Sequence, residues 1–176
     1  MQRFTDKVVL VTGAASGIGR ATAERLASEG GSVLCTDLNA QALDETVAAI
    51  TAAGGIASAF SFDIAVEEQV QQCVQACVDR YGQLDVVVNM AGILGFHSTQ
   101  ELELSVWQKL VDVNLTGTFL LCKTALPHLV ASQGNIVNAA STAALAGLPW
   151  GAAYSATKGG VLAMTRSIAV EYAKRG

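Results

Sequence analysis

The sequence predicts an α/β fold, a doubly wound parallel sheet of five strands in the order 3-2-1-4-5 with helices on both faces. Three observations predict it. Short apolar runs alternate with helical patterns along all 176 residues. Runs such as Val8-Val9-Leu10-Val11 are continuously apolar rather than alternating, so both of their faces must be covered. A glycine-rich turn, Thr12 to Gly19, separates the first run from the first helical pattern, where such folds turn at the carboxyl edge of the sheet.

Taken in order, Val8–Val11 is the first strand and Ile18–Ser28 the first helix. Ser32–Thr36 is the second strand, followed by a helix over Ala40–Ala53. Ile56–Phe62 is the third strand and Glu67–Tyr81 its helix. Leu84–Asn89 is the fourth strand, Val106–Ala131 one long helix, Asn135–Ala140 the fifth strand, and Ala152–Lys174 the last helix. Strand and helix alternate with right-handed crossovers, which gives a doubly wound sheet in a single domain spanning residues 1–176. No repeat, low-complexity stretch or linker interrupts the pattern. The last two long helices are apolar nearly all round, whereas a helix that only covers a sheet needs one apolar stripe. A homodimer or homotetramer packed through these helices is the expectation; burial beneath a further C-terminal segment is the alternative.

Hydrophobic residues make up 51% of the chain and charged ones 15%, below the roughly 25% of an average domain. A net charge of −4 and the lack of a basic cluster argue against nucleic acid and anionic membrane as partners. The start lacks the apolar stretch of a signal peptide, and no segment keeps eighteen apolar residues in a row, so a cytoplasmic protein is expected. Cys73 and Cys77 share a helix face, but His97 and His128 stand at no ligand spacing from them. No metal is expected; Cys35, Cys73, Cys77 and Cys122 are read as reduced, packed thiols.

In the glycine turn, Gly13, Ser16, Gly17, Ile18 and Gly19 open the first helix. There the backbone can approach a pyrophosphate, stabilised by the helix amides and dipole. Asp37 ends the second strand eighteen residues beyond Gly19, with Leu38 beside it, and can accept from the ribose hydroxyls of a dinucleotide; a helix N-cap is the other reading. A 2′-phosphate near Asp37 would cost about 4 kcal/mol per unit charge at an effective dielectric near 20, so NAD is expected rather than NADP. Asp63 and Ile64 follow the third strand, and Asn89, Ala91 and Gly92 end the fourth, all on the same edge. A carboxylate there can accept from the adenine amino group, and the small residues leave room; ordinary turn chemistry is the alternative for each. Tyr154 and Lys158 lie one helical turn apart, Ser141 ends the fifth strand, and Asn114 sits between apolar neighbours, where bonding to nearby backbone is its plain explanation.

In this order, these residues resemble the short-chain dehydrogenase/reductase family in its ordinary, non-extended branch, over essentially the whole chain. The resemblance implies a Rossmann-type domain and an Asn114-Ser141-Tyr154-Lys158 tetrad moving a hydride between NAD and a secondary alcohol or ketone. Tyr154 is then the general acid/base, Ser141 orients the substrate oxygen, Lys158 holds the nicotinamide ribose, and Asn114 positions a water that links Lys158 to solvent. Half-ionising a phenol at pH 7 takes about 4 kcal/mol, of which an ammonium about 6 Å away supplies roughly 3 kcal/mol. Two departures stand out. Met90 replaces the second Asn of the family's Asn-Asn-Ala-Gly, putting one structural bond in doubt. The chain also stops after the helix that should lead to a sixth strand, so an N-terminal portion of a longer polypeptide is expected. Should the polypeptide end at Gly176, an inactive dinucleotide-binding or scaffold protein is the alternative. Phe96, Leu148 and Trp150 are read as pocket wall, or equally as core or interface.

Overall fold

The computed structural model describes residues 2–175. Five parallel strands, β1 (Val8–Thr12), β2 (Ser32–Asp37), β3 (Ile56–Ser61), β4 (Val86–Asn89) and β5 (Asn135–Asn138), pair in the order β3-β2-β1-β4-β5. The helices are α1 (Gly17–Ser28), α2 (Ala40–Ala52), α3 (Glu67–Tyr81), α4 (Leu104–Val111), α5 (Gly117–Ser132) and α6 (Ala152–Tyr172). The predicted ends differ by one or two residues, as frayed termini do.

Every residue of β1 is buried, because apolar clusters press on both faces of the sheet. Val9, Val11, Val33, Cys35 and Val88 pack beneath α1 and α2 with Leu26, Leu43 and Ile50. Leu10, Leu34 and Val87 pack on the other face with Val74 of α3 and Leu121 of α5. The outer strands depart from the all-buried expectation: β3 and β5 are partly exposed, as sheet edges are. An apolar groove of about 230 Å³ runs between α5, β5 and α6. All four cysteines are free and buried, Cys35 on the α1/α2 face and Cys73 and Cys77 on the other. Burial pushes the Cys35 and Cys77 thiols up to about 12 and raises those of Cys73 and Cys122.

The single helix expected over Val106–Ala131 is corrected. It begins at Leu104 and is interrupted by a π-helical turn over Asp112–Thr116, with Asn114 at its centre. Such widened turns are rare and frequent at functional sites, and here the Asn114 side chain at the centre of the turn bonds Ile93 in the loop after β4. Just beyond it, Gly117 lets α5 rest on the β3–α3 loop: a Cβ there would lie 2.9 Å from the Ile64 carbonyl oxygen.

Candidate active site

The carboxyl ends of β1, β2 and β4 form one rim. The glycine turn is held to β2 by two bonds, from the Ala14 N–H to the Thr36 carbonyl (3.0 Å) and from the Ala15 N–H to the Asp37 carboxylate (3.2 Å). Gly13 (φ +67°) passes so close to the β4 end that a Cβ would meet the Ala91 nitrogen at 2.9 Å, and one on Gly19 would meet the Gly13 carbonyl oxygen at 2.1 Å. Gly17, also at positive φ (+54°), faces open space. Ser16 is the N-cap of α1 but makes no side-chain cap, so the first-turn amides point outward without one. Ile18 is 74% exposed and Leu38 70%. This open, uncapped helix start beside small residues fits a pyrophosphate.

Asp37 is not a helix cap. Asn39 caps α2 by accepting from the Ala42 N–H, while Asp37 accepts from the Ala15 and Asn39 N–H groups, one on each oxygen. Each oxygen keeps lone-pair capacity toward the rim. Asp63 makes a turn, its Oδ1 accepting from the Ala65 N–H at 2.9 Å. Ile64 puts its side chain in the core. Asn89 turns inward: its Nδ2 donates to Asn138 Oδ1 at 2.8 Å, its carbonyl accepts from Ala139, and the residue is 3% exposed. Its Nδ2 thus joins β4 to β5, while its Oδ1 is buried without a hydrogen-bond partner among the described residues. The Met90 segment is held through its backbone. The Met90 and Ala91 N–H groups both donate to Thr12 Oγ1, at 3.1 and 3.0 Å, and the Met90 thioether packs on the α1/α2 cluster.

The tetrad residues converge on this rim. Lys158 is 6% exposed, and its Nζ donates to the Ala139 carbonyl at 2.7 Å. Burial draws its pKa below the usual lysine value. The same Nζ lies 5.9 Å from the centre of the Tyr154 ring. Ser141 caps the short 3₁₀ turn Thr142–Ala144 by accepting from the Ala143 N–H, so its hydroxyl proton stays available to donate. Asn114 is completely buried and grips a distant loop rather than nearby backbone. Its Oδ1 accepts from the Ile93 N–H (2.8 Å) and its Nδ2 donates to the Ile93 carbonyl (2.9 Å). Gly92 lies against the tetrad: a Cβ there would stand 3.2 Å from Asn114 Oδ1, a tight contact, and 3.7 Å from Lys158 Nζ, an ordinary one.

Ile93, Thr12 and Ala139 escaped the sequence reading as site residues. Ile93 and Ala139 act through main-chain atoms, which no side-chain pattern signals, whereas a threonine closing β1 beside a glycine turn was a signal for Thr12. Phe96, Leu148 and Trp150 are exposed in this chain. Among the described residues no cluster of His, Cys, Asp and Glu could hold a metal ion, and no helix is long and apolar enough to cross a membrane.

A family model for short chain dehydrogenase matches residues 7–176. The chain is 41% identical over 177 residues to the 3beta-hydroxysteroid dehydrogenase of Mediterraneibacter gnavus, covering 100% of this chain and 64% of that protein. It is 41% identical over 176 residues to a cyclohexanol dehydrogenase of an Acinetobacter strain, covering 99% and 70%. Among solved structures, levodione reductase matches with a TM-score of 0.95 at 38% identity, over 98% of this chain and 69% of that one. NAD+-bound xylitol dehydrogenase matches at 0.96 and 35% identity, over 99% and 68%. The chain thus spans 64–70% of the length of these relatives. With nearly its whole length matched, in sequence as in fold, the chain belongs to the short-chain dehydrogenase family.

Proposed function

We propose that this chain carries the dinucleotide site and the acid/base machinery of an NAD-dependent oxidoreductase acting on secondary alcohols or their ketones. The observation that carries the proposal is the buried Lys158 ammonium, anchored on Ala139 and set 5.9 Å from the Tyr154 ring at the rim that also holds the glycine turn. Tyr154 takes the hydroxyl proton of an alcohol, or returns it to a ketone. Ser141 donates its uncommitted proton to the substrate oxygen. Lys158 has donors to spare beyond Ala139 for the nicotinamide ribose. Asn114, whose side chain bonds Ile93 and Thr157, serves by holding the Gly92–Ile93 segment against Lys158. A bound nicotinamide dinucleotide supplies the hydride acceptor or donor.

Gly13, Ser16, Gly17, Ile18 and Gly19 hold the pyrophosphate in this reading, and Asp37 with Leu38 the adenosine ribose. Asp63 and the Ile64 backbone border the adenine, while Ala91 and Gly92 lie under the dinucleotide. Asp37 supports NAD over NADP, since a 2′-phosphate would face its carboxylate. Names of relatives as different as a hydroxysteroid and a cyclohexanol dehydrogenase support the CH–OH class and no single substrate. The association surface we assign to the α5 and α6 faces, where Phe119 and Val170 are exposed.

The test is NADH formation from a panel of secondary alcohols by wild type and Tyr154→Phe, with NAD affinity measured alongside. We expect kcat/KM to fall by about a hundredfold to ten-thousandfold in the variant while NAD binding stays within twofold. Turnover that survives the substitution would reject Tyr154 as the acid/base. Saturable NAD binding by wild type with no turnover on any alcohol would support the inactive dinucleotide-binding reading instead.

A further inference from the structure

We infer that Thr157 is a positioning residue, its hydroxyl coupling the turn of α6 that carries Tyr154 and Lys158 to the loop after β4; this rests on the oxidoreductase reading above. Thr157 is 1% exposed and lies between the two catalytic candidates in sequence. Its Oγ1 accepts from Asn114 Nδ2 at 3.3 Å and donates to the Tyr154 carbonyl at 2.8 Å. The proton count closes: the single hydroxyl proton goes to Tyr154, and one lone pair receives the amide. The other Asn114 bonds go to Ile93, so an unbroken polar chain runs from Ile93 through Asn114 and Thr157 to the Tyr154 main chain.

A threonine that merely returns its proton to its own helix would leave no mark. Thr22, Thr46, Thr51 and Thr118 do that, each bonding the carbonyl four residues back, and Thr165 does so while accepting from Asn138 of β5. Thr157 instead reaches back three residues, to Tyr154, while receiving Asn114 from another element. The π turn supplies the means, because Asn114 stands at its centre and α6 packs against that turn. Gly92, one residue before Ile93, borders Lys158 Nζ, so the loop and the α6 turn are the two walls between which the ammonium is held. Thr157 ties those walls at a fixed spacing. Near-attack geometry is sensitive to shifts well under a bond length, so a looser tie slows the chemical step more than it weakens binding.

The decisive variants are Thr157→Val, which keeps the shape and removes both bonds, and Thr157→Ser, which keeps the hydroxyl. With an alcohol that wild type oxidises, we expect Thr157→Val to lower kcat about tenfold, with KM and NAD affinity within twofold, and Thr157→Ser to restore kcat to within about twofold. Amide hydrogen exchange gives a readout independent of turnover. Thr157→Val should lose protection at Ile93 and in the first turn of α6, with β1 and β2 unchanged, and Thr157→Ser should keep it. Unchanged kcat or unchanged local protection in Thr157→Val overturns the inference. So does a uniform loss of protection and thermal stability that serine does not rescue, since that marks a structural residue. If wild type turns over no alcohol, the oxidoreductase reading is what fails, and exchange alone decides whether Thr157 couples the two walls.

Discussion

At the residue scale, Lys158 sets a cost in stability against the chemistry we propose for it. Burial disfavours its ammonium, and its pKa falls below the ordinary lysine value of 10.5. The folded protein therefore releases this proton more readily than the unfolded chain does. The charged form costs stability below the folded pKa, and that cost fades as pH rises from there toward 10.5. Lys158→Met should lower kcat by about a hundredfold or more, yet its Tm at pH 7 should not fall below wild type. A clear drop in Tm would show that the Ala139 bond outweighs desolvation. Lys158, Tyr154 and Ser141 were legible in the sequence because their chemistry resides in side chains at fixed spacings. The plain alternative for Asn114 named backbone bonding rightly but the wrong backbone, since Ile93 lies 21 residues away. The direction of the Asn89 side chain was not legible for a related reason: a polar residue at a strand end looks alike whether it faces a ligand or, as its Nδ2 does here, the neighbouring strand through Asn138.

At the element scale, the glycine turn separates two uses of glycine that one motif writes with one letter. Gly19 is required for space, because its missing Cβ would collide with the Gly13 carbonyl oxygen. Gly17 is required for conformation alone, at φ +54° with nothing within 4 Å. Gly19→Ala should cost about 1–3 kcal/mol in urea unfolding and abolish NAD binding, since the turn itself must move. Gly17→Ala should cost about 1 kcal/mol. Equal losses from both would show that strain, not collision, governs the turn. Strands and helices were readable because buried runs and 3.6-residue stripes are local patterns. The break at Asp112–Thr116 was not: Asn114 at its centre bonds the loop after β4, a contact invisible to any window that reads only the helix.

At the scale of the whole molecule, the sequence predicted the order β3-β2-β1-β4-β5: alternation and handedness give a doubly wound sheet, and the glycine turn after β1 points to the dinucleotide-binding order among those such sheets adopt. Two apolar helices reading as buried all round was an equally direct signal, but which surface meets them was not legible, because complementarity belongs to two surfaces and a single chain writes only one. Sedimentation velocity should give two or four times the 18.2 kDa chain mass, and Val170→Glu, at a site 80% exposed, should shift it toward one. A wild-type mass of one chain would remove the α5/α6 interface. The placement of the thiols carries a different consequence. Sealed on opposite sides of the sheet and reluctant to ionise, Cys35 on one side and Cys73 and Cys77 on the other form two sets of silent probes. An alkylating reagent can reach either set only when the layer above it lifts, so the order in which they react distinguishes peeling of one helical layer from collapse of the whole sheet.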